Sequence, residues 1–384
     1  MLDFSIFITD TYTIVASATA LVTFIILCLH YGLYHFRVGR YNSKKEQPQQ
    51  ADSDLPPVSV VLTAHNDANW LKENLVYLLE QDYPDFEVVV VDYLSKDDTP
   101  YVLRTLKEYY PHLKVVPFKE DVNIFQGKKY PLSIGIKSAK NDILMLADPD
   151  CTPHNLMWLR GMVKGYTNDK IKIVLGYCGV KKSKTLSGAL QQYDSLSYSA
   201  QYLGSALLGH PYTGSGQNLS YRRSFFFEQG AFISHYDIAD GSDDLFVYQN
   251  ATRANTAICI TPDACLEVEP KKSLKQWHES RTHRVATRSR HSFWSRLHEQ
   301  VVPVGNILFY AAIVLLALRA PLALTAAALL AVMKWTWQII CFSRLTHTFN
   351  GGHLHLLAPL FEIYFIIANT ILILLPLHSN KKFK

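Results

Sequence analysis

Between Thr11 and Phe36 the sequence has no Asp, Glu, Lys or Arg, and from Val301 to Leu377 it is again mostly apolar. These absences exclude a chain bathed in water along its whole length. The ends belong in lipid and the middle of the 384 residues in solvent. The residues before Thr11 include Asp3 and Asp10 but no Lys or Arg. A cleaved secretory signal opens on a basic segment, so this run is expected to remain as an uncleaved anchor. It is long enough to cross a hydrocarbon layer about 30 Å thick. Arg37, Arg40, Lys44 and Lys45 follow it directly, and the positive-inside rule then places the next domain in the cytoplasm.

Other absences narrow the chemistry. The six cysteines (Cys28, Cys151, Cys178, Cys259, Cys265, Cys341) form no C-x-x-C pair, which argues for reduced thiols and against a zinc site. The fifteen histidines show no metalloprotease spacing, and no Ser/His/Asp hydrolase signature occurs. Repeats and low-complexity tracts are missing as well. The net charge of +5 requires no nucleic acid. Its most basic stretch, Lys271 to Arg296, stands just before the second apolar block and suits a segment facing anionic lipid.

What is present divides the chain into an anchor (1–41), a polar linker (42–57), an α/β domain (58–270), a basic juxtamembrane segment (271–300) and C-terminal membrane helices with a basic tail (301–384). Within the α/β domain, short β-branched runs at Val58–Leu62, Glu87–Val91, Lys114–Pro117 and Ile143–Leu146 alternate with helical spacing at Trp70–Gln81, Tyr101–Tyr110 and Tyr130–Ala139. That alternation predicts a mainly parallel, Rossmann-like sheet covered on both faces, with ligands at the carboxyl ends of its strands. Acids stand at those ends: Asp67 after the first strand, Asp92 after the second, and Asp148 and Asp150 after Ile143–Leu146. Each alone is an ordinary turn former or helix cap, but three acidic strand ends converging on one crevice point to a site.

Asp148-Pro149-Asp150 is a D-x-D sequence. Carboxylates so close repel unless a hard divalent cation neutralises them, and magnesium or manganese there can bridge the phosphates of a nucleotide diphosphate. Asp243 and Asp244 form a second acidic pair, suited to taking a proton from a hydroxyl or, alternatively, to opening a helix whose dipole favours acids. Gly214 and Gly216, in Thr213-Gly214-Ser215-Gly216-Gln217-Asn218, lack bulk and allow close approach to a substrate, although the segment fits neither the Walker nor the dinucleotide pattern. Lys128, after Gly127, is placed to pair with phosphate or simply to face solvent.

At the back end, apolar segments are expected near Val304–Leu318, Pro321–Phe342 and Leu356–Leu377, the first two as a tight hairpin. Glu362 should face protein or water, because a lipid-facing carboxylate is costly. Four full crossings would leave Lys381, Lys382 and Lys384 outside. Three crossings and one re-entrant or interfacial segment would bring them inside, as the positive-inside rule prefers.

From Val58 to Arg284 these residues resemble the inverting family 2 glycosyltransferases with a GT-A fold, in their membrane-bound bacterial branch. Ser59 to Asp67 looks like the family's opening strand and nucleotide-binding turn, Val90-Val91-Asp92 like its second acidic strand end, and Gln126-Gly127-Lys128-Lys129 like its G-K segment. Asp148-Pro149-Asp150 falls at the metal-binding D-x-D, and Asp243-Asp244 at the E-D pair. The resemblance implies that Thr63, Asp67, Asp92, Lys128 and Asp148 hold a nucleotide sugar, UDP-linked, and that Asp150 with Asp148 holds Mg2+ or Mn2+. It makes Asp244 the base, and assigns an acceptor or product-diphosphate region to Gly214, Gly216, Trp277, Arg281 and Arg284.

There are departures from the family pattern. Tyr93 stands where a second acid often follows Asp92. Ser280, His283 and Arg284 replace the Gln, Arg and Trp of the Q-x-x-R-W motif. The expectation is a plasma-membrane enzyme with a cytoplasmic catalytic domain, adding one sugar to a lipid-linked or glycan acceptor at the bilayer. A processive polysaccharide synthase and a degenerate scaffold subunit are the alternatives.

Overall fold

The computed structural model describes residues 11–41, 54–118, 127–319 and 321–374. Gln126, most of the expected linker and the lysines of the tail lie outside the described residues. The described residues form two compact units, one of 11–41 with 291–374, the other of 54–290. Lys271 to Arg290, expected as a juxtamembrane segment, cluster with the second unit.

Among the described residues that second unit is built on ten strands: β1 (Val58–Ala64), β2 (Phe86–Asp92), β3 (Leu113–Pro117), β4 (Ile143–Leu146), β5 (Cys151–Pro153), β6 (Ile173–Leu175), β7 (Cys178–Val180), β8 (Leu219–Arg222), β9 (Thr256–Ile258) and β10 (Leu266–Val268). Seven form a sheet in the order β3-β2-β1-β4-β8-β6-β9, and three form a smaller sheet, β5-β10-β7. In the large sheet only β8 runs against its neighbours, so the sheet is mainly parallel. The strand sequences explain why. β1 reads Val-Ser-Val-Val-Leu-Thr-Ala and is buried on both faces, as a central parallel strand must be when helices cover both sides. Its one polar side chain deep in the core, Ser59, donates to Glu87 at 2.6 Å, which spares both groups an unsatisfied burial.

The chain leaves β1 for β2 and β3 on one side, then returns to place β4 on the other. Strand order therefore reverses between β1 and β4, and such a switch point opens a crevice at the carboxyl ends. β8 brings a further segment there because it is antiparallel. Leu219 pairs with Leu146, so the residues just before β8 arrive beside those just after β4.

Among its described residues the other unit contains four helices long and apolar enough to cross a membrane: Thr11–Arg40, Phe293–Leu318, Leu324–Thr348 and Leu354–Ile371. Ala16 and Ala20 pack against Ala312, Leu316 and Ala327. Small residues of this kind let helix backbones approach where no hydrophobic effect drives association. Glu362 is buried here. It accepts hydrogen bonds from the Tyr31 hydroxyl (2.6 Å) and the Tyr310 hydroxyl (2.7 Å), and pairs with Lys334. One carboxylate thus joins all four helices, and it faces protein.

Candidate active site

Past the ends of β4 and β8 lies an open cleft of about 690 Å3. Among the sequence-expected residues, it gathers Lys128, Asp148, Asp150, Gly214, Asp243, Asp244, Trp277 and Arg284 along its walls. A small pocket adjoins it, lined by Thr63, Gly216, Asp243, Asp148 and Lys128 among others. Asp67, Asp92 and Arg281 do not line either space.

The two acidic pairs meet through the segment before β8. Asn218 anchors that segment: its amide donates to the carbonyls of Tyr177 (2.7 Å) and Ala264 (2.8 Å), and its oxygen accepts from the Trp158 indole (3.1 Å). With Asn218 held, the Gly216 N–H donates to Asp243 Oδ2 at 2.6 Å. A Cβ on Gly216 would sit 3.0 Å from that oxygen, so only glycine lets the backbone come this close without a shift.

Lysines counter the acids of the D-x-D turn. Lys128 Nζ lies 3.1 Å from Asp148 Oδ1, and Lys271 Nζ lies 3.0 Å from Asp150 Oδ2. Burial disfavours the Lys128 ammonium, but Asp148 and Asp243 outweigh it and hold its pKa above the usual lysine value. Lys271 behaves likewise: burial opposes its charge, and Asp150 more than restores it. Lys129 faces the other way. Fully buried, it donates to the carbonyls of His235 (2.6 Å) and Ile238 (2.8 Å), tying down the loop that leads to Asp243. Burial lowers its pKa to about 8 even though Asp244 and Asp237 pull in the opposite direction.

Asp67 stands just before the helix Ala68–Leu79, its carboxylate accepting from the His65 N–H at 2.8 Å. Burial pushes its pKa up, the His65 hydrogen bond opposes this, and Asp150 and Asp148 add to the rise. Asp92 ends β2 and is buried, with one carboxylate oxygen lacking a hydrogen-bond partner among the described residues. Tyr93, at the position of the missing second acid, instead packs edge-on against Phe118 at 5.4 Å.

Across the cleft, the helix Leu274–Ala286 supplies Trp277, Arg281 and Arg284. Both arginines turn to Asp194 on the helix Leu186–Leu207, Arg281 at 3.4 Å and Arg284 at 3.2 Å. Arg281 also lies 5.4 Å from the Trp277 ring centre, and Arg284 lies 4.5 Å from that of Tyr198. Sequence reasoning missed Asp194, Tyr198 and Thr287, and read Lys271 only as part of a basic surface. A lone acid on a long apolar-faced helix was the available signal for Asp194. For the others there was none.

Residues 59–229 match the family model described as Glycosyl transferase family 2. Over that stretch the chain is similar to the family 2 glycosyltransferases. Among curated relatives, glycosyltransferase AglE of Haloferax volcanii is 31% identical over 148 residues, 38% of this chain and 46% of AglE. The probable glycosyltransferase YdaM of Bacillus subtilis is 30% identical over 159 residues, 40% of this chain and 37% of YdaM. The matches thus span less than half the length of these relatives. Among solved structures, the mannosyltransferase PcManGT from Pyrobaculum calidifontis, in complex with GDP-Man and Mn2+, aligns with a TM-score of 0.57 over 92% of this chain and 99% of its own, at 21% identity. At that identity the likeness concerns the fold: the glycosyltransferase domain has the GT-A type of sheet. Asp243, Asp244 and the helix Leu274–Ala286 lie beyond the residues matched by the family model.

Proposed function

We propose that this chain transfers one sugar, with inversion, from a nucleotide-diphosphate donor to a lipid-linked or other membrane-associated acceptor. The observation that carries the reading is that Asp148-Pro149-Asp150 and Asp243-Asp244 line one cleft, with the Lys128 ammonium within electrostatic reach of both Asp148 and Asp243. A UDP-linked donor would lie with its nucleoside toward Thr63, Asp67 and Asp92 and its diphosphate over Asp148.

The donor set fits a hard cation. Two carboxylates two residues apart line the cleft, each now paired with a lysine whose place a cation could take. Magnesium or manganese characteristically takes one or two protein carboxylates and completes its shell from phosphate and water, which is what Asp148 and Asp150 offer. Bound there, Mg2+ or Mn2+ would supply electrostatic stabilisation of the leaving diphosphate. Lys128, released from Asp148, would pair with a phosphate oxygen, and Lys271 would be freed from Asp150 to do the same. Asp244 would accept the acceptor hydroxyl's proton as that oxygen attacks the anomeric carbon from the face opposite the diphosphate. The missing Cβ atoms of Gly214 and Gly216 face Leu175 and Asp243 and so serve the packing of this wall, while Trp277 and Arg284 would form the acceptor wall.

Four helices fit to span a bilayer, together with the Arg37–Lys45 charge, support a plasma-membrane enzyme with its catalytic domain in the cytoplasm, where sugar nucleotides are made. The test is a panel of nucleotide sugars offered to the purified protein. A matching donor should raise the melting temperature, and transfer should proceed with inverted anomeric configuration by NMR. Asp244→Asn should keep donor affinity and lose transfer by about 10²–10⁴-fold. Unchanged transfer in that variant would move the base to another group.

A further inference from the structure

We propose that Thr287 is a positioning residue for Asp244, holding that carboxylate in the orientation from which it takes the acceptor's proton. The inference rests on Asp244 being the base. Thr287 opens the short turn Thr287–Arg290 that follows the helix Leu274–Ala286. Its side chain is 1% exposed, and its hydroxyl donates to Asp244 Oδ2. The other oxygen, Oδ1, accepts from the Leu245 N–H at 2.7 Å. The carboxylate is therefore gripped at both ends, and its plane is set before any substrate arrives.

The grip is itself held in place. Threonine is β-branched and stiff at χ1, so packing its methyl fixes the direction of its hydroxyl. That methyl lies against Gly241: a Cβ there would come within 3.0 Å of Thr287 Cγ2, and the backbone at Gly241 has φ +93°. A Cβ at 241 would meet Leu245 Cδ1 first, at 2.6 Å, so glycine there lets the loop pack closely on both Leu245 and Thr287. The turn and its helix are tied to that same loop by Arg290 to Asp237 and by His283 to Asp240 at 3.3 Å. They are tied to the opposite wall by Arg284 to Asp194. Positional errors near 1 Å at a reacting group cost about 10²-fold in rate, so a clamp this local has kinetic weight.

The experiment compares Thr287→Val, which keeps shape and loses the donor, with Thr287→Ser, which keeps the donor. Both are measured in the full-length protein, alone and combined with Asp244→Asn. Thr287→Val should lower kcat about 10- to 100-fold while donor KM, acceptor KM and melting temperature stay near wild type. Thr287→Ser should restore most of the rate, and Thr287→Val should add nothing once Asp244 is Asn. Thr287→Ala replaces Val if Val does not fold, with the same expected loss. Equal loss in Ser and Val, or a wild-type rate in Val while Asp244→Asn is inactive, overturns the clamp and leaves the base standing. Full transfer in Asp244→Asn overturns the base assignment, and the clamp with it.

Discussion

Lys334 and Glu362 form an ion pair at 0% and 3% side-chain exposure, on two different apolar helices. Tyr31 and Tyr310 donate to the same carboxylate, and the Trp335 indole donates to the Tyr310 hydroxyl at 2.8 Å. The arrangement turns an acid on an apolar helix, costly if it faced lipid, into a junction of helices.

Breaking one side of such a pair strands a buried charge, whereas replacing both sides removes the need for pairing. Lys334→Met should therefore destabilise the protein in detergent by about 3–5 kcal/mol. The double variant Lys334→Met/Glu362→Leu should recover a large part of that loss. Thermal melting of the detergent-purified protein checks the order; a double variant less stable than the single one would contradict it.

The metal reading leads to Asp150. Its present partner is Lys271 at 3.0 Å, so Asp150→Ala frees a lysine and removes one of the two D-x-D carboxylates. Affinity for a nucleoside diphosphate should lose its dependence on added Mg2+ or Mn2+, while the melting temperature without ligand changes little. Titration calorimetry with and without metal reads this directly. Metal-dependent binding that survives in Asp150→Ala, or full transfer in excess chelator, would remove the D-x-D from the proposal.

A pH dependence of stability follows from His235. Burial, aided by the neighbouring Lys129 ammonium, lowers its pKa to about 4. Its Nε2 is buried without a hydrogen-bond partner among the described residues, as a neutral ring permits. An unfolded histidine takes up a proton near pH 6.5, and the folded one does so only near pH 4. Between those values the unfolded state binds more protons, so stability falls as pH falls through the window. His235→Gln should flatten this decline in urea titrations between pH 6.5 and 4 and leave stability at pH 8 little changed. An unaltered slope would mean that the carboxylates alone set it.

Much of this architecture was legible along the chain. Val58–Ala64, Phe86–Asp92 and Ile143–Leu146 announce themselves as buried strands because burial on both faces demands continuous apolar runs, and the acids that end them stand where a parallel sheet gathers its ligands. The long apolar helices are equally local, since fitness to cross a bilayer depends on composition over some twenty consecutive residues. Element boundaries moved by a residue or two, as at Thr99–Tyr109 against an expected Tyr101–Tyr110, because a helix end depends on its cap more than on periodicity.

The partners of the charges were decided elsewhere. Lys271 stands 121 residues from Asp150, Thr287 stands 43 from Asp244, and Tyr31 stands 331 from Glu362. No periodicity relates such pairs. Sequence by itself determined which segments would be strands, which helices would be long and apolar enough to cross a membrane and which acids would lie at strand ends, because these depend on neighbours along the chain. Only the tertiary structure decided that the arginines at 281 and 284 turn to Asp194, and that a threonine beyond the matched domain grips Asp244. A hydrogen bond or ion pair is made by whichever group folding brings within about 3 Å, and that is a property of packing.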